Sequence, residues 1–240
     1  MVKYAQIVVF CAWSMLASIG LCSDPQVLES PLYPYQSSIE LQDEFTSGTG
    51  VTGFVGNLGW GVGNGTTSIL TSEVNRPGIY RRDTSAVSGT ITTTNLYPHS
   101  SANFAANLPH RVVFIVRLNN NDADTLLRVG IGNSTAGNPP GTGIYFEKAN
   151  ADTNWFCVTE SGGVTRTDSG VAVNTSFNTF EYRRLSASVE FYLNGSRVCT
   201  NTTNLSSSLS NPFVQIINNA AASKTVDIDY FQLQLSGLTR

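Results

Sequence analysis

From Ile39 onward apolar and polar residues alternate with period two, and Gly, Asn, Asp or Ser interrupts the alternation about every ten residues. Successive side chains of a strand point to opposite faces, so this pattern predicts half-buried strands joined by turns. No helical period of useful length competes with it after the N-terminus. Strands are predicted over residues 54–60, 68–73, 78–82, 111–118, 126–131, 143–148, 154–160, 163–167, 179–187, 188–193, 197–200, 213–218 and 226–235. The segment 111–118, RVVFIVRL, is apolar on both alternating faces, which predicts a central strand covered on both sides. Asn194-Gly195 supplies the positive φ values of a two-residue hairpin turn, and Glu160-Ser161-Gly162-Gly163 predicts a second hairpin. Residues 201–211, mostly Asn, Ser and Thr, read as a polar connection crossing between sheets. The layout predicts an all-β fold, an antiparallel two-sheet sandwich of jelly-roll type.

The N-terminus departs from this pattern. Residues 1–23 carry one Lys at position 3, an apolar stretch from about Ile7 to Leu21 and then small residues, the order of a secretory signal peptide. An uncleaved anchor is the competing reading, since the stretch falls only slightly short of the roughly 20 apolar residues of a bilayer span. Residues 24–38 contain Pro25, Pro31 and Pro34 without a period and read as an extended lead-in; residues 39–240 form the sandwich domain. Of the four cysteines, Cys11 and Cys22 belong to the leader, leaving Cys157 and Cys199. In an exported domain these two could pair, yet both lie in strand-like runs where a buried free thiol is equally common. Both readings stay open.

Composition narrows the function classes. Only 13% of the 240 residues are charged, with a formal net charge of −3 and no block of like charge, which argues against nucleic-acid binding. His99 and His110 are the only histidines and no CxxC occurs, so a zinc site of the His/Cys type is excluded. No Gly-x-Ser-x-Gly elbow is present, and the glycines at 59, 61, 63 and 65 open no helix that could cradle a phosphate. The run Asn119-Asn120-Asn121-Asp122-Ala123-Asp124 is dense in oxygen ligands. Asp122 and Asp124 are the candidates there for a hard cation such as Ca2+, against the plainer reading of a polar turn.

The order and spacing of several pieces over roughly residues 40–235 resemble the concanavalin A-like, or laminin-G-like, jelly roll of lectins, glucanases and bacteriophage tail-fibre and virion surface proteins. The pieces are Leu41-Gln42-Asp43-Glu44-Phe45, Gly59-Trp60, Arg128-Val129-Gly130-Ile131-Gly132, Gly143-Ile144-Tyr145-Phe146-Glu147, Val189-Glu190-Phe191-Tyr192-Leu193-Asn194-Gly195 and Asp227-Ile228-Asp229-Tyr230-Phe231. Glycosidases on this fold set three acidic side chains at alternating positions of one strand. The nearest match, Asp227-Ile228-Asp229-Tyr230-Phe231, has Phe231 in place of the third carboxylate and lies on the last strand, so the expectation is that the chain is not an enzyme.

The resemblance then implies a non-catalytic, lectin-like protein, secreted or on a virion surface, that binds a cell-surface glycan or polysaccharide and assembles as a homo-oligomer, trimers being usual for the phage relatives. No nucleic acid is expected as partner, and no membrane once the leader is removed. A structural fibre or decoration subunit and a secreted polysaccharide-active enzyme are the alternatives. Sugar recognition uses aromatic faces with nearby amides and charged groups. The candidates are Tyr192, Trp155, Tyr145, Trp60, Asn154 and Arg81; in the stretch Val189–Leu193, inward Phe191 and Leu193 would turn Tyr192 outward.

Overall fold

The computed structural model describes residues 38–46, 54–56, 58–62, 67–70, 73–96, 104–133, 141–207 and 209–236. The leader and nearly all of the lead-in lie outside them, as does His99. No helix among the described residues is long and apolar enough to cross a membrane.

Two antiparallel sheets account for the strands. The first, eight-stranded, runs β15 (Ser196–Asn201), β14 (Val189–Leu193), β13 (Phe177–Arg184), β8 (His110–Leu118), β17 (Thr225–Ser236), β5 (Ile79–Asp83), β4 (Thr67–Leu70), with β1 (Ser38–Asp43) also paired to β17. The second, nine-stranded, runs β12 (Val164–Ala172), β11 (Asn154–Ser161), β10 (Thr142–Lys148), β9 (Thr125–Gly132), β16 (Leu209–Asn218), β6 (Thr90–Leu96), β3 (Trp60–Val62), β2 (Phe54–Val55), with β7 (Phe104–Ala105) on β16. The polar connection crosses between the sheets, from β15 to β16.

The period-two pattern becomes burial directly. In β14, Val189, Phe191 and Leu193 are buried while Glu190 and Tyr192 are half-exposed on the outer face. The β14–β15 turn has φ of 51° at Asn194 and 83° at Gly195, as the Asn-Gly pair predicts. The β11–β12 hairpin turns at Gly162. Between the sheets the core is rich in aromatic edges: Trp60 packs edge-on against Phe231 (4.9 Å) and Phe114 (6.1 Å), and Trp155 against Phe180 (4.8 Å). Such edge-to-face pairs add about 0.5–1.5 kcal/mol each beyond area burial. The indole of Trp60 donates to the buried Asp43 carboxylate (3.2 Å), which also accepts the backbone N–H groups of Phe45 and Leu58 at 2.8 Å each. A Cβ at Gly56 would run into that carboxylate, so Gly56 is the residue that admits it.

Two expectations need correcting. Strand β8 is central, between β13 and β17, but its outer face is only half-buried at Arg111, Ile115 and Arg117; the strand buried along its whole length on both faces is β9. Strand β6, TITTTNL, was not predicted because its threonines give no apolar alternation; Thr92, Thr93 and Thr94 are nonetheless all buried. Cys157 of β11 and Cys199 of β15 form a disulfide, which ties one sheet to the other at their β12/β15 edge.

Candidate functional site

The residues that carry chemistry gather on the outer face of the nine-stranded sheet. On β11, Trp155, Cys157 and Thr159 point into the core, so Phe156, Val158 and Glu160 point out. The register sets Tyr145 opposite Val158 and Gly143 opposite Glu160, and on the other side of β10 sets Glu147 opposite Arg128 and Tyr145 opposite Gly130. Strand β16 continues the rows with Gln215 beside Arg128 and Phe213 beside Gly130.

One row is a polar chain. Arg128 Nε donates to Glu147 Oε2 at 2.7 Å, Arg166 Nε donates to Glu147 Oε1 at 2.7 Å, and Arg128 Nη1 donates to Gln215 Oε1 at 2.9 Å. Arg166 also bridges to Asp152, and its guanidinium lies over the Phe156 ring, 3.4 Å from the centroid. Toward the exposed edge strand β12, Asn154 Nδ2 donates to both oxygens of Asp168, at 3.1 and 3.2 Å. The second row is an apolar patch of Tyr145, Val158 and Phe213 with Phe156 packed against it. Tyr145 and Phe213 meet with ring centroids 6.0 Å apart across Gly130, where a side chain would run into the Ile144 carbonyl and the Tyr145 backbone. The Tyr145 hydroxyl donates to Glu160 Oε2 at 2.8 Å; burial, then this hydrogen bond, hold its pKa well above the ordinary tyrosine value. Glu147 is 7% and Glu160 6% exposed, an unusual degree of burial for two glutamates on a non-core face.

The predicted ligand-binding residues separate under this geometry. Tyr145 and Asn154 fall on the outer face just described. Trp60 and Trp155, at 0% and 1% exposed, lie in the core between the sheets and present no ring to a ligand. For Trp155 the alternation alone left burial open, since Phe156 and Val158 share one face and Trp155 and Cys157 the other. Arg81 and Tyr192 stand on the outer face of the other sheet. Arg81 holds the buried Asp227 (2.7 and 3.0 Å), whose carboxyl Arg81 and Arg117 keep below the usual range against desolvation. The Tyr192 hydroxyl donates to Glu190 (2.8 Å), under the Arg183 guanidinium. The near-match to a catalytic strand also dissolves here: Asp227 serves two arginines, and Asp229 sits in a register shift of β17, ion-paired with Arg76.

The Asp122 carboxylate, one of the two candidate cation ligands, is engaged within the chain. The Asp122 carboxylate accepts the Thr125 hydroxyl (2.5 Å) and the Asp124 N–H (3.2 Å) and is ion-paired with the buried Lys224. The buried Lys148 ammonium donates to the carbonyls of Asp122 and Thr125. Two ammonium groups thus stand where a hard cation would draw on these oxygens. Among the described residues no group of three or more His, Cys, Asp or Glu side chains is placed to hold a metal ion.

Sequence reasoning passed over Glu160 as a site residue, naming it only as the start of a hairpin. The available signal was parity: three residues on from an inward Cys157, Glu160 faces outward, on the Tyr145 face.

The architecture defines a class, the concanavalin A-like two-sheet jelly roll. No protein-family model matches the chain, and a comparison with curated proteins returned no match. Solved structures with this fold include a protein of unknown function from Shewanella oneidensis MR-1 (TM-score 0.63, 17% identity, 85% of this chain and 89% of that one). They also include a β-1,3-glucanase from Mycobacterium marinum (0.57, 10%, 80% and 97%) and a Bacillus licheniformis β-glucanase (0.54, 12%, 81% and 97%). These likenesses establish the fold. They also correct the expectation that the chain is not an enzyme: glucanases share this architecture over most of their length. The tail-fibre setting rests on the sequence resemblance alone.

Proposed function

We propose that the chain is a secreted polysaccharide-active enzyme whose site is the outer face of the nine-stranded sheet. The observation that carries this reading is the pair of nearly buried glutamates, Glu147 on β10 and Glu160 on β11, that share this face with Tyr145, Arg128 and Arg166. Two carboxyl groups are the chemical minimum for splitting a glycosidic bond, one giving a proton to the leaving oxygen and one taking a proton from attacking water. Glu160, with Oε2 engaged by Tyr145, is the proton donor. Glu147 accepts one hydrogen bond from each of two guanidiniums, and a carboxylate has about four acceptor sites, so it keeps capacity for a water. The register places their Cα atoms four residues apart along neighbouring strands, roughly 14 Å. Exposed Arg166 and Asp168 with Asn154 on the β12 side offer planar hydrogen-bonding groups to the hydroxyls of a glycan approaching Glu147. The Cys157–Cys199 disulfide fits an oxidising, extracellular setting.

The test is release of reducing ends by the purified full chain from a panel of polysaccharides, β-glucans first because glucanases share the fold. Wild-type turnover should fall about 100-fold or more in Glu160→Gln and in Glu147→Gln, with unfolding midpoints showing that both variants remain folded. Glycan binding without any wild-type product, or variants with undiminished rates, would overturn the reading.

A further inference from the structure

Tyr145 does more on this face than fill space, and its neighbours show how its position arises. Gly143, two residues before it on β10 and therefore on the same face, is the cross-strand partner of Glu160. A Cβ at Gly143 would lie 3.2 Å from Tyr145 Cδ1 and 2.5 Å from the Ile131 carbonyl oxygen. The tyrosine ring thus lies over the space that the glycine leaves free and reaches along the strand to the glutamate across from it. Phe213 and Val158 pack against the ring, so it has no freedom to swing away. The hydroxyl ends 2.8 Å from Glu160 Oε2.

We propose that Tyr145 is a positioning residue that fixes which oxygen of Glu160 carries the transferable proton. This rests on the reading of Glu160 as proton donor. A phenol that donates to Oε2 engages that oxygen as an acceptor, so the proton of the neutral carboxylic acid resides on Oε1. In the reaction the O–H bond of Oε1 breaks as the glycosidic oxygen takes the proton and keeps the electron pair of its broken bond to the anomeric carbon. Water adds its oxygen to that carbon and loses its own proton to Glu147. Oε2 then accepts from Tyr145 in the carboxylate left behind, so the same contact stabilises the product state of the donor. Glycine at 143 is the sequence feature that permits the arrangement.

Tyr145→Phe, which keeps the ring and its packing, tests this in the full chain. A hydrogen bond to the charged form lowers a carboxyl pKa. Its removal should move the basic limb of kcat/KM to higher pH, with the plateau about tenfold lower. The carboxyl carbon of Glu160, assigned in 13C-glutamate-labelled protein by its absence from Glu160→Gln, reports the same pKa directly by NMR. An active wild type whose Glu160 titration and pH profile are both unmoved by Tyr145→Phe would overturn the positioning role alone. No wild-type turnover would overturn the enzyme reading and this role with it, and a shifted carboxyl titration would then mark a structural hydrogen bond only.

Discussion

At the scale of single residues, the buried charges and polar groups set how this protein responds to solution conditions. His110 is enclosed between the Leu108 carbonyl (2.6 Å from Nδ1) and the Tyr182 hydroxyl (3.2 Å from Nε2), and burial lowers its pKa from 6.5 to about 4. The carbonyl can only accept, so Nδ1 carries the proton of the neutral ring and Nε2 accepts from Tyr182. A histidine with a depressed folded-state pKa contributes stability that is fully present above the unfolded pKa of 6.5. It is lost as pH falls from there toward 4, by about 3 kcal/mol in all. Urea unfolding at pH 7.5 and pH 4 should show this loss in the wild type and a clearly smaller one in His110→Gln, the carboxylate contributions being common to both. Lys148, the last residue of β10, is a second buried titratable side chain. Replacing it by Met should cost about 1–3 kcal/mol, because the carbonyls of Asp122 and Thr125 lose their donor. Since the lysines already supply the positive charge, calcium or a chelator should leave the wild-type melting temperature unchanged.

At the scale of elements, the two sheets are held by different means along their length. Within the core the contact is aromatic: Trp60 of β3 meets Phe114 and Phe231 of the other sheet, and Phe146 of β10 meets Phe180 and Phe191. At the β12/β15 edge it is covalent and polar. The Cys157–Cys199 bridge is supported by Asn201, whose amide donates to the Cys157 carbonyl and the Thr159 hydroxyl (3.3 Å each) while its oxygen accepts from Thr167 (2.8 Å). Closing a loop with a separation of 42 residues corresponds to about 4 kcal/mol in the chain-entropy model. Cys157→Ser/Cys199→Ser, or reduction, should lower the calorimetric unfolding midpoint accordingly, whereas Cys157→Ser alone leaves Cys199 as a free thiol. Because β11 carries Cys157 inward and Glu160 outward, the bridge also steadies the strand beneath the proposed proton donor.

At the scale of the whole molecule, order along the chain and neighbourhood in space part company. Strand β8 lies between β13 and β17, and β9 between β10 and β16, so both sheets are assembled from distant segments. The local chemistry of the strands was legible regardless. Period-two alternation in Val189–Leu193 told inward from outward, and Asn194-Gly195 declared its turn, because both depend only on neighbouring residues. Strand β6 escaped because threonine, although suited to strands, carries no hydrophobic signal when its hydroxyls are buried. Trp60 and Trp155 were read as sugar platforms because a tryptophan looks the same in a core as on a surface until its packing partners are known. Parity with Cys157 could mark the facing of Glu160, but Glu147 and Glu160 sit 13 residues apart and meet on one face only through the β10–β11 register. The sequence by itself determined the all-β sandwich, its turns and the facing of its clearest strands, which follow from backbone geometry and side-chain parity. Tertiary structure alone decided the pairing of Cys157 with Cys199, the ammonium groups beside Asp122 and the gathering of Glu147, Glu160 and Tyr145, because each depends on which distant strand lies alongside.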